Sequence, residues 1–147
     1  MKRKIAVING PNLNVLERRG GVYGGAKLED INAGLIKRFP DIDFAFFQSN
    51  CEGALIDCIQ QTEADGVIIN AGAYSHYSYA IRDALDILKC PAIEVHLSNL
   101  WARAEEFRHA SVISPVCQGV ISGFGPDVYR LAAEALMGIF KATKIHK

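Results

Sequence analysis

Residues 66–88, GVIINAGAYSHYSYAIRDALDIL, decide how the chain folds. The stretch opens on a short apolar run, Val67-Ile68-Ile69, which predicts a strand buried on both faces. It closes as an amphipathic helix whose stripe is Ile81, Ala84, Leu85 and Leu88 at a 3.6-residue period. Between the two lies a turn dense in polar and aromatic groups: Asn70, Gly72, Tyr74, Ser75, His76, Tyr77 and Ser78. The carboxyl end of a strand running into a helix is where open α/β sheets bind ligands. The turn sets an amide, an imidazole and hydroxyls at that point.

The same grammar repeats outward. Lys4–Asn9 reads as the first strand and stops at Gly10-Pro11. Leu28, Ile31, Leu35 and Phe39 fit a helix closed by Pro40, and Ile42–Phe47 alternates in part, which suggests an edge strand. Ser49-Asn50-Cys51-Glu52 has the spacing of a capping box for a helix with Cys51, Leu55, Cys58 and Ile59 on one face. Pro91–His96 and Gly119–Ser122 are the fourth and fifth strands. Gly125-Pro126 opens a last helix striped by Tyr129, Ala132, Leu136, Ile139 and Phe140, and Lys141–Lys147 is a basic tail. Five strands alternating with helices predict an α/β fold: a flavodoxin-like three-layer sandwich with a five-stranded parallel sheet in the order 2-1-3-4-5. The 147 residues suffice for one domain with a real core, so residues 1–147 are read as a single domain.

Composition narrows the function. Sixteen basic and sixteen acidic side chains cancel, so no global charge favours nucleic acid or an anionic membrane. No apolar run is long enough to span a bilayer, and MKRKIAVING reads as a strand rather than a signal peptide. Cys51, Cys58, Cys90 and Cys117 are scattered without a CxxC pair, which points to small buried hydrophobes in a reducing, cytoplasmic setting rather than a disulfide frame or zinc site. Gly123-Phe124-Gly125 lacks the third glycine of a dinucleotide fingerprint, so no nucleotide cofactor is expected.

The polar groups collect at the strand ends, which share one rim in a parallel sheet. They are Asn9 and Asn12, then Gln48-Ser49-Asn50, then Asn70 through His76, then His96-Leu97-Ser98-Asn99. Such a rim suits an uncharged, oxygen-rich small molecule with one carboxylate. The glycine-rich segment 12–27, with Arg18, Arg19 and Tyr23, is long for a connection without regular structure and reads as a functional lid, about residues 14–26.

At these residues the sequence resembles the type II 3-dehydroquinate dehydratases. The resemblance is carried by Asn9-Gly10-Pro11-Asn12-Leu13-Asn14, Tyr23-Gly24, Gln48-Ser49-Asn50 with Glu52-Gly53, Asn70-Ala71-Gly72-Ala73-Tyr74-Ser75-His76, Arg82-Asp83-Ala84, Glu94-Val95-His96-Leu97-Ser98-Asn99, Phe107-Arg108-His109 and Gly123-Phe124-Gly125, in that order from about Ile5 to Leu131. It implies removal of water from 3-dehydroquinate to give 3-dehydroshikimate, by anti elimination through an enolate, with no metal and no Schiff base. It implies Tyr23 as general base, His96 as general acid, Asn12 as the residue that holds a water on the enolate oxygen, and Arg19, preferred over Arg18, as the lid cation. Asn70, His76, Leu97, Ser98 and Arg108 are implied to hold substrate, and Asp83 to reach a neighbouring subunit's site. A homo-oligomer, a dodecamer built from trimers, is implied as well.

Acid–base chemistry fits those roles. A phenol titrates near ~10 in water, so a tyrosine base needs a cation beside it. A flap carrying that pair closes over substrate and excludes water. Three departures stand out: the lid is one residue shorter than the family pattern, Tyr77 and Trp101 stand where threonine and histidine are usual, and the segment Arg103–Phe107 is one residue longer. The last leaves Arg103 without an assigned role. The extra glycines predict a looser lid and a higher KM than in a standard-lid relative. Two rivals are a metal hydrolase using His76, Asp83 and His96, and a catalytically impaired binding or assembly protein. Retention of Tyr23, Asn70, His76, His96 and Arg108 together argues against the second. His109 and His146 read as surface positions.

Overall fold

The computed structural model describes residues 1–145. His146 lies outside them. Five strands, β1 (Arg3–Asn9), β2 (Ile42–Gln48), β3 (Gly66–Asn70), β4 (Ala92–His96) and β5 (Gly119–Ser122), form one parallel sheet in the order β2-β1-β3-β4-β5. Around it lie α1 (Leu28–Arg38), α2 (Glu52–Gln61), α3 (Tyr79–Asp86) and α4 (Val128–Ile145). This is the flavodoxin-like arrangement that the alternation of elements predicts.

Residues of a strand alternate between the two faces of a sheet, and the core divides on that parity. Ile5, Val7, Ile68, Ile93 and Val95 face α1 and α4, where they pack with Leu35, Phe39, Ala132 and Leu136. Ala6, Ile8, Val67, Ile69 and Ala92 face α2 and α3, where they meet Leu55, Ile59, Ile81 and Leu85. β3 and β4 are buried along their whole length, as central parallel strands are. β2, at the edge, alternates between half-buried and exposed positions over its first half.

Four local expectations change. The capping box does not form: α2 begins at Glu52, its N-cap is Cys51 with no side-chain cap, and Ser49 Oγ instead accepts the Cys51 N–H at 3.0 Å. The cysteines are less buried than expected, with Cys51 exposed and Cys58, Cys90 and Cys117 half-buried. Pro126 sits in a 3-10 turn, Gly125–Asp127, ahead of α4 rather than inside its first turn. The segment after β1 is not wholly irregular: a 3-10 stretch, Leu13–Arg18, puts Leu13 and Leu16 into the core. That anchors the first half of the lid, and only Arg19–Lys27 lacks a buried residue.

Strand ends β1, β3 and β4 lie side by side, with Asn9 in register with Asn70. The first two come so close that a Cβ on Gly10 would sit 2.5 Å from the Ala71 carbonyl oxygen, a separation only glycine permits. The site is built on this rim.

Candidate active site

A pocket of about 120 Å³ lies over the carboxyl ends of β1, β3 and β4. Asn12, Arg19, Tyr23, Asn70, His76, His96, Leu97, Ser98, Arg103 and Arg108 are among the residues around it. Nine of the ten residues that the sequence reading singled out converge here. Asp83 does not: it is exposed on α3, away from the pocket of its own subunit. Two of the larger clefts show the contrast, since neither carries such a convergence. The one of about 610 Å³ lies at the opposite ends of the strands, beside Arg3, Asp65 and Pro91, where Arg3 and Asp65 already satisfy each other at 2.6 Å. The one of about 590 Å³ runs between α2 and the β1–β2 edge, with no histidine or arginine at its wall.

His96 ends β4 and is 5 % exposed. Its Nε2 lies 2.6 Å from Glu94 Oε1, two residues back on the same face of the strand. Glu94 is wholly buried and accepts three hydrogen bonds: from His96, from Ser111 Oγ at 2.5 Å, and from Ser114 Oγ. Burial pushes the Glu94 carboxyl up. The hydrogen bonds and the charge of His96 outweigh it, so the group lies below the usual carboxylate value and stays ionised. An ionised acceptor puts a proton on Nε2 and fixes the ring, leaving Nδ1 with no protein hydrogen-bond partner among the described residues.

His76 closes the turn after β3. Its Nδ1 donates to the Ala110 carbonyl at 2.7 Å, its ring stacks 6.4 Å from that of His96, and Phe107 meets it edge-on at 5.6 Å. Burial lowers its pKa, and the nearby His96 and Arg108 charges lower it further against the Ala110 bond. A neutral His76 with its proton on Nδ1 offers Nε2 as an acceptor. Arg108 is half-buried, with Nε 3.3 Å from Glu105 Oε1.

Tyr23 comes from the glycine-rich flap, out of a 3-10 turn at Gly21–Tyr23. Two cations meet it. The Arg19 guanidinium lies over its ring, 4.1 Å from the centroid. The Arg103 guanidinium donates from Nη1 to its hydroxyl oxygen at 3.1 Å and to Ser98 Oγ at 3.3 Å. Arg18 is exposed and does not line the pocket. His109, expected at the surface, is half-buried: its Nε2 donates to the Arg103 carbonyl at 2.7 Å and its ring stacks on Trp101 at 5.5 Å. It thus steadies the loop that delivers Arg103.

Asn12 has φ 69°, the one non-glycine residue in the left-handed region among those described. Strain of this kind persists where surroundings over-determine the backbone. Here the Asn12 N–H donates to Asn50 Oδ1 at 3.0 Å, Gln48 Nε2 donates to the Gly10 carbonyl at 3.2 Å, and Tyr74 donates to the Asn50 carbonyl at 2.9 Å. Gln48 and Asn50, read as rim groups from sequence, therefore brace the turn that carries Asn12 and do not line the pocket.

Glu94, bonded to His96, and Arg103, bonded to Tyr23 and Ser98, are the contacts of the site that the sequence reading did not assign. For Glu94 a signal existed: a carboxylate in an otherwise apolar central strand is rare, and Glu-x-His places two polar groups on one face. Among the described residues no group of three or more His, Cys, Asp and Glu is placed to hold a metal. The geometry also counts against a His76–Asp83–His96 site, since Asp83 is remote and each imidazole has one nitrogen engaged by protein.

What the pocket combines is a phenol under two guanidiniums and an imidazole backed by a buried carboxylate, a base–acid pair without a nucleophile–oxyanion arrangement. Known proteins share the fold and much of the sequence. Residues 3–137 match the family model described as Dehydroquinase class II. The chain is 55 % identical to a 3-dehydroquinate dehydratase of a Nitratiruptor species, covering 98 % of this chain and 95 % of the relative. It is 51 % identical to the enzyme of that name from Chlorobaculum tepidum, covering 91 % and 93 %. The crystal structure of the type II dehydroquinase from Butyrivibrio crossotus superposes with a TM-score of 0.88 at 47 % identity, over 92 % of this chain and 97 % of that one. The chain belongs to the class II dehydroquinase family.

Proposed function

We propose that this protein is a 3-dehydroquinate dehydratase of the shikimate pathway, a hydro-lyase that converts 3-dehydroquinate to 3-dehydroshikimate by anti elimination through an enolate. The observation that carries the reading is one pocket with Tyr23, Arg103 donating to its oxygen, and His96, Glu94 behind its ring. The Arg103 guanidinium donates to the Tyr23 oxygen, the atom that acts as base in this reading. The phenolate takes the proton from the carbon next to the ketone, and the electron pair moves onto the ketone oxygen. Asn12 holds a water against that oxygen. The enolate then re-forms the carbonyl and expels the hydroxyl, which takes a proton from His96 Nδ1 and leaves as water. A proton passes from Tyr23 back to His96 before the next turnover. Asn70, neutral His76, Ser98 with the Leu97 backbone, and Arg108 hold the hydroxyls and carboxylate of the substrate. Arg19 accompanies Tyr23 on the flap, residues 14–26 of a single catalytic domain.

Asp83 reaches a neighbouring subunit's pocket in this reading, which calls for trimers assembled into a dodecamer. Its exposure on α3 supports that role. The enzyme works in the cytoplasm without metal or cofactor and without nucleic acid or membrane partners; among the described residues no helix is long and apolar enough to cross a membrane. The test is to add 3-dehydroquinate and follow the conjugated enone in the ultraviolet, with and without EDTA. Turnover indifferent to chelator is expected; absence of turnover, or its loss to EDTA, overturns the reading. Sedimentation of the native protein and of Asp83→Ala tests the assembly, and a fully active monomer would contradict it.

A further inference from the structure

One side chain with no surface in the pocket holds two amides at its edge. Tyr129 lies in the first turn of α4 and is completely buried. It looks onto the sheet face that carries Ile5, Val7 and Ile68. Strand alternation brings Asn9 and Asn70 to that same face, and the register sets them side by side. Tyr129 Oη lies 2.5 Å from Asn9 Oδ1 and 3.0 Å from Asn70 Nδ2.

Counting protons fixes the direction of this chain. A phenol has one hydrogen to give, and an amide nitrogen only donates. Asn70 Nδ2 therefore donates to Tyr129, and Tyr129 gives its own hydrogen to Asn9. At the other end of the Asn70 amide, Oδ1 accepts the Gly72 N–H at 3.2 Å. Turning that amide over would put Nδ2 against the Gly72 N–H, donor against donor. One Nδ2 hydrogen is left for the pocket that Asn70 lines. Asn9 Nδ2 is buried without a partner, so the pairing that Asn9 does make is as acceptor to Tyr129.

We propose that Tyr129 is a positioning residue of the active site: it locks the Asn70 amide so that a donor, and not an acceptor, faces an oxygen of bound substrate. The inference rests on the dehydratase reading for its substrate, but the lock itself is a property of the three side chains. Tyr129→Phe keeps the ring that packs against the sheet and deletes only the hydroxyl. With 3-dehydroquinate, kcat/KM should fall about tenfold, carried mainly by KM. In an Asn70→Ala background the same change should cost less than twofold, because the group it acts through is gone. A purely structural tyrosine would lower the melting temperature while leaving kcat/KM of the folded protein alone, or its effect would multiply with that of Asn70→Ala; either result overturns the proposal.

Asn9→Leu is the second variant, should Tyr129→Phe fail to fold. It removes the acceptor, frees the Tyr129 hydrogen to turn on Asn70, and should give the same tenfold loss, again absent beside Asn70→Ala. A crystal structure of whichever variant folds supplies a readout independent of turnover: the Asn70 amide should have left the Gly72 N–H. An unmoved amide overturns the lock even if the enzyme is active, whereas a wild-type protein that yields no enone removes the dehydratase reading and leaves the crystallographic result to decide the lock.

Discussion

The rim of the pocket and the flap over it are built on opposite plans. On the rim, His96 is fixed by Glu94, Glu94 by two serines, and the strand ends close until only glycine fits at position 10. On the flap, Tyr23 is half-buried, Gly21, Gly24 and Gly25 have positive φ, and a Cβ added to any of these glycines or to Gly20 would meet nothing within 4 Å. Buried hydrogen bonds orient the first group and two guanidiniums the second. The contrast matches two tasks. A proton donor held by the sheet costs no reorganisation during reaction, while a base that must also admit substrate has to ride on backbone that can move.

Removing the Tyr23 hydroxyl on the flap and neutralising the carboxylate behind His96 on the rim should give the largest effects and show how differently the two sides are supported. Tyr23→Phe is expected to lower kcat by about 10²–10⁴ with no change in melting temperature. Glu94→Gln should lower kcat by about 10² and also destabilise the fold, because a buried amide cannot satisfy three donors. Equal melting temperatures for the two variants would erase the distinction between rim and flap. The two cations that meet Tyr23, Arg19 on the flap and Arg103 on the loop after β4, sharpen it further. Arg103→Ala removes a hydrogen bond to the Tyr23 oxygen, the base of the proposed reaction, and should cost about 10- to 100-fold in kcat/KM. Arg19→Ala removes a contact with the ring face and should cost less than about tenfold. The reverse order would make the ring contact the one that matters.

Acid should attack the rim before the rest of the fold. His76 is lowered by burial, so between its folded value and the ordinary 6.5 the unfolded chain binds more protons and stability rises with pH. Its contribution is complete above 6.5 and is lost as pH falls through the folded value. Glu94 is also lowered: its contribution is present above 4.5 and lost as pH drops through its own folded value. Melting temperature followed from pH 8 down to about 2 should therefore decline in two stages, the first below 6.5 and the second below 4.5. His76→Asn should abolish the first stage and leave the second, and a single decline in the wild type would mean that His76 is not held neutral.

The same division decides what could be read from sequence. Central strands announce themselves as short apolar runs, so Val67-Ile68-Ile69 fixes the sheet, and the polar residue after each run falls on the rim because parallel strands share their ends. Asn70, His76, His96 and Ser98 were legible for that reason. Arg103 was not: it reaches Tyr23 across 80 residues of chain, from the loop that follows β4. Tyr129 stood in plain view in the apolar stripe of α4, but periodicity identifies a buried ring and says nothing of what its hydroxyl binds. Asn50 misled in the other direction. A polar group just past a strand reads as ligand-facing, and here its Oδ1 is engaged by the Asn12 N–H and the Gln48 amide.

The flap's backbone gives the smallest effect and the most direct test of whether its looseness matters. Gly20 has φ −83° and ψ −168°, extended values open to any residue, and a Cβ there meets nothing within 4 Å. Gly20→Ala should therefore stabilise the protein by about 0.4–1 kcal/mol, chiefly by restricting the unfolded chain. If loose backbone weakens substrate binding, KM should fall by a factor of about two to three while kcat holds. Gly24 is the control: with φ 60° the same methyl forces a left-handed alanine at about 1 kcal/mol, with the opposite sign in both stability and KM. Should the two alanines act alike, the flap's order is set by Arg103 and Arg19 gripping Tyr23, and its glycines are incidental.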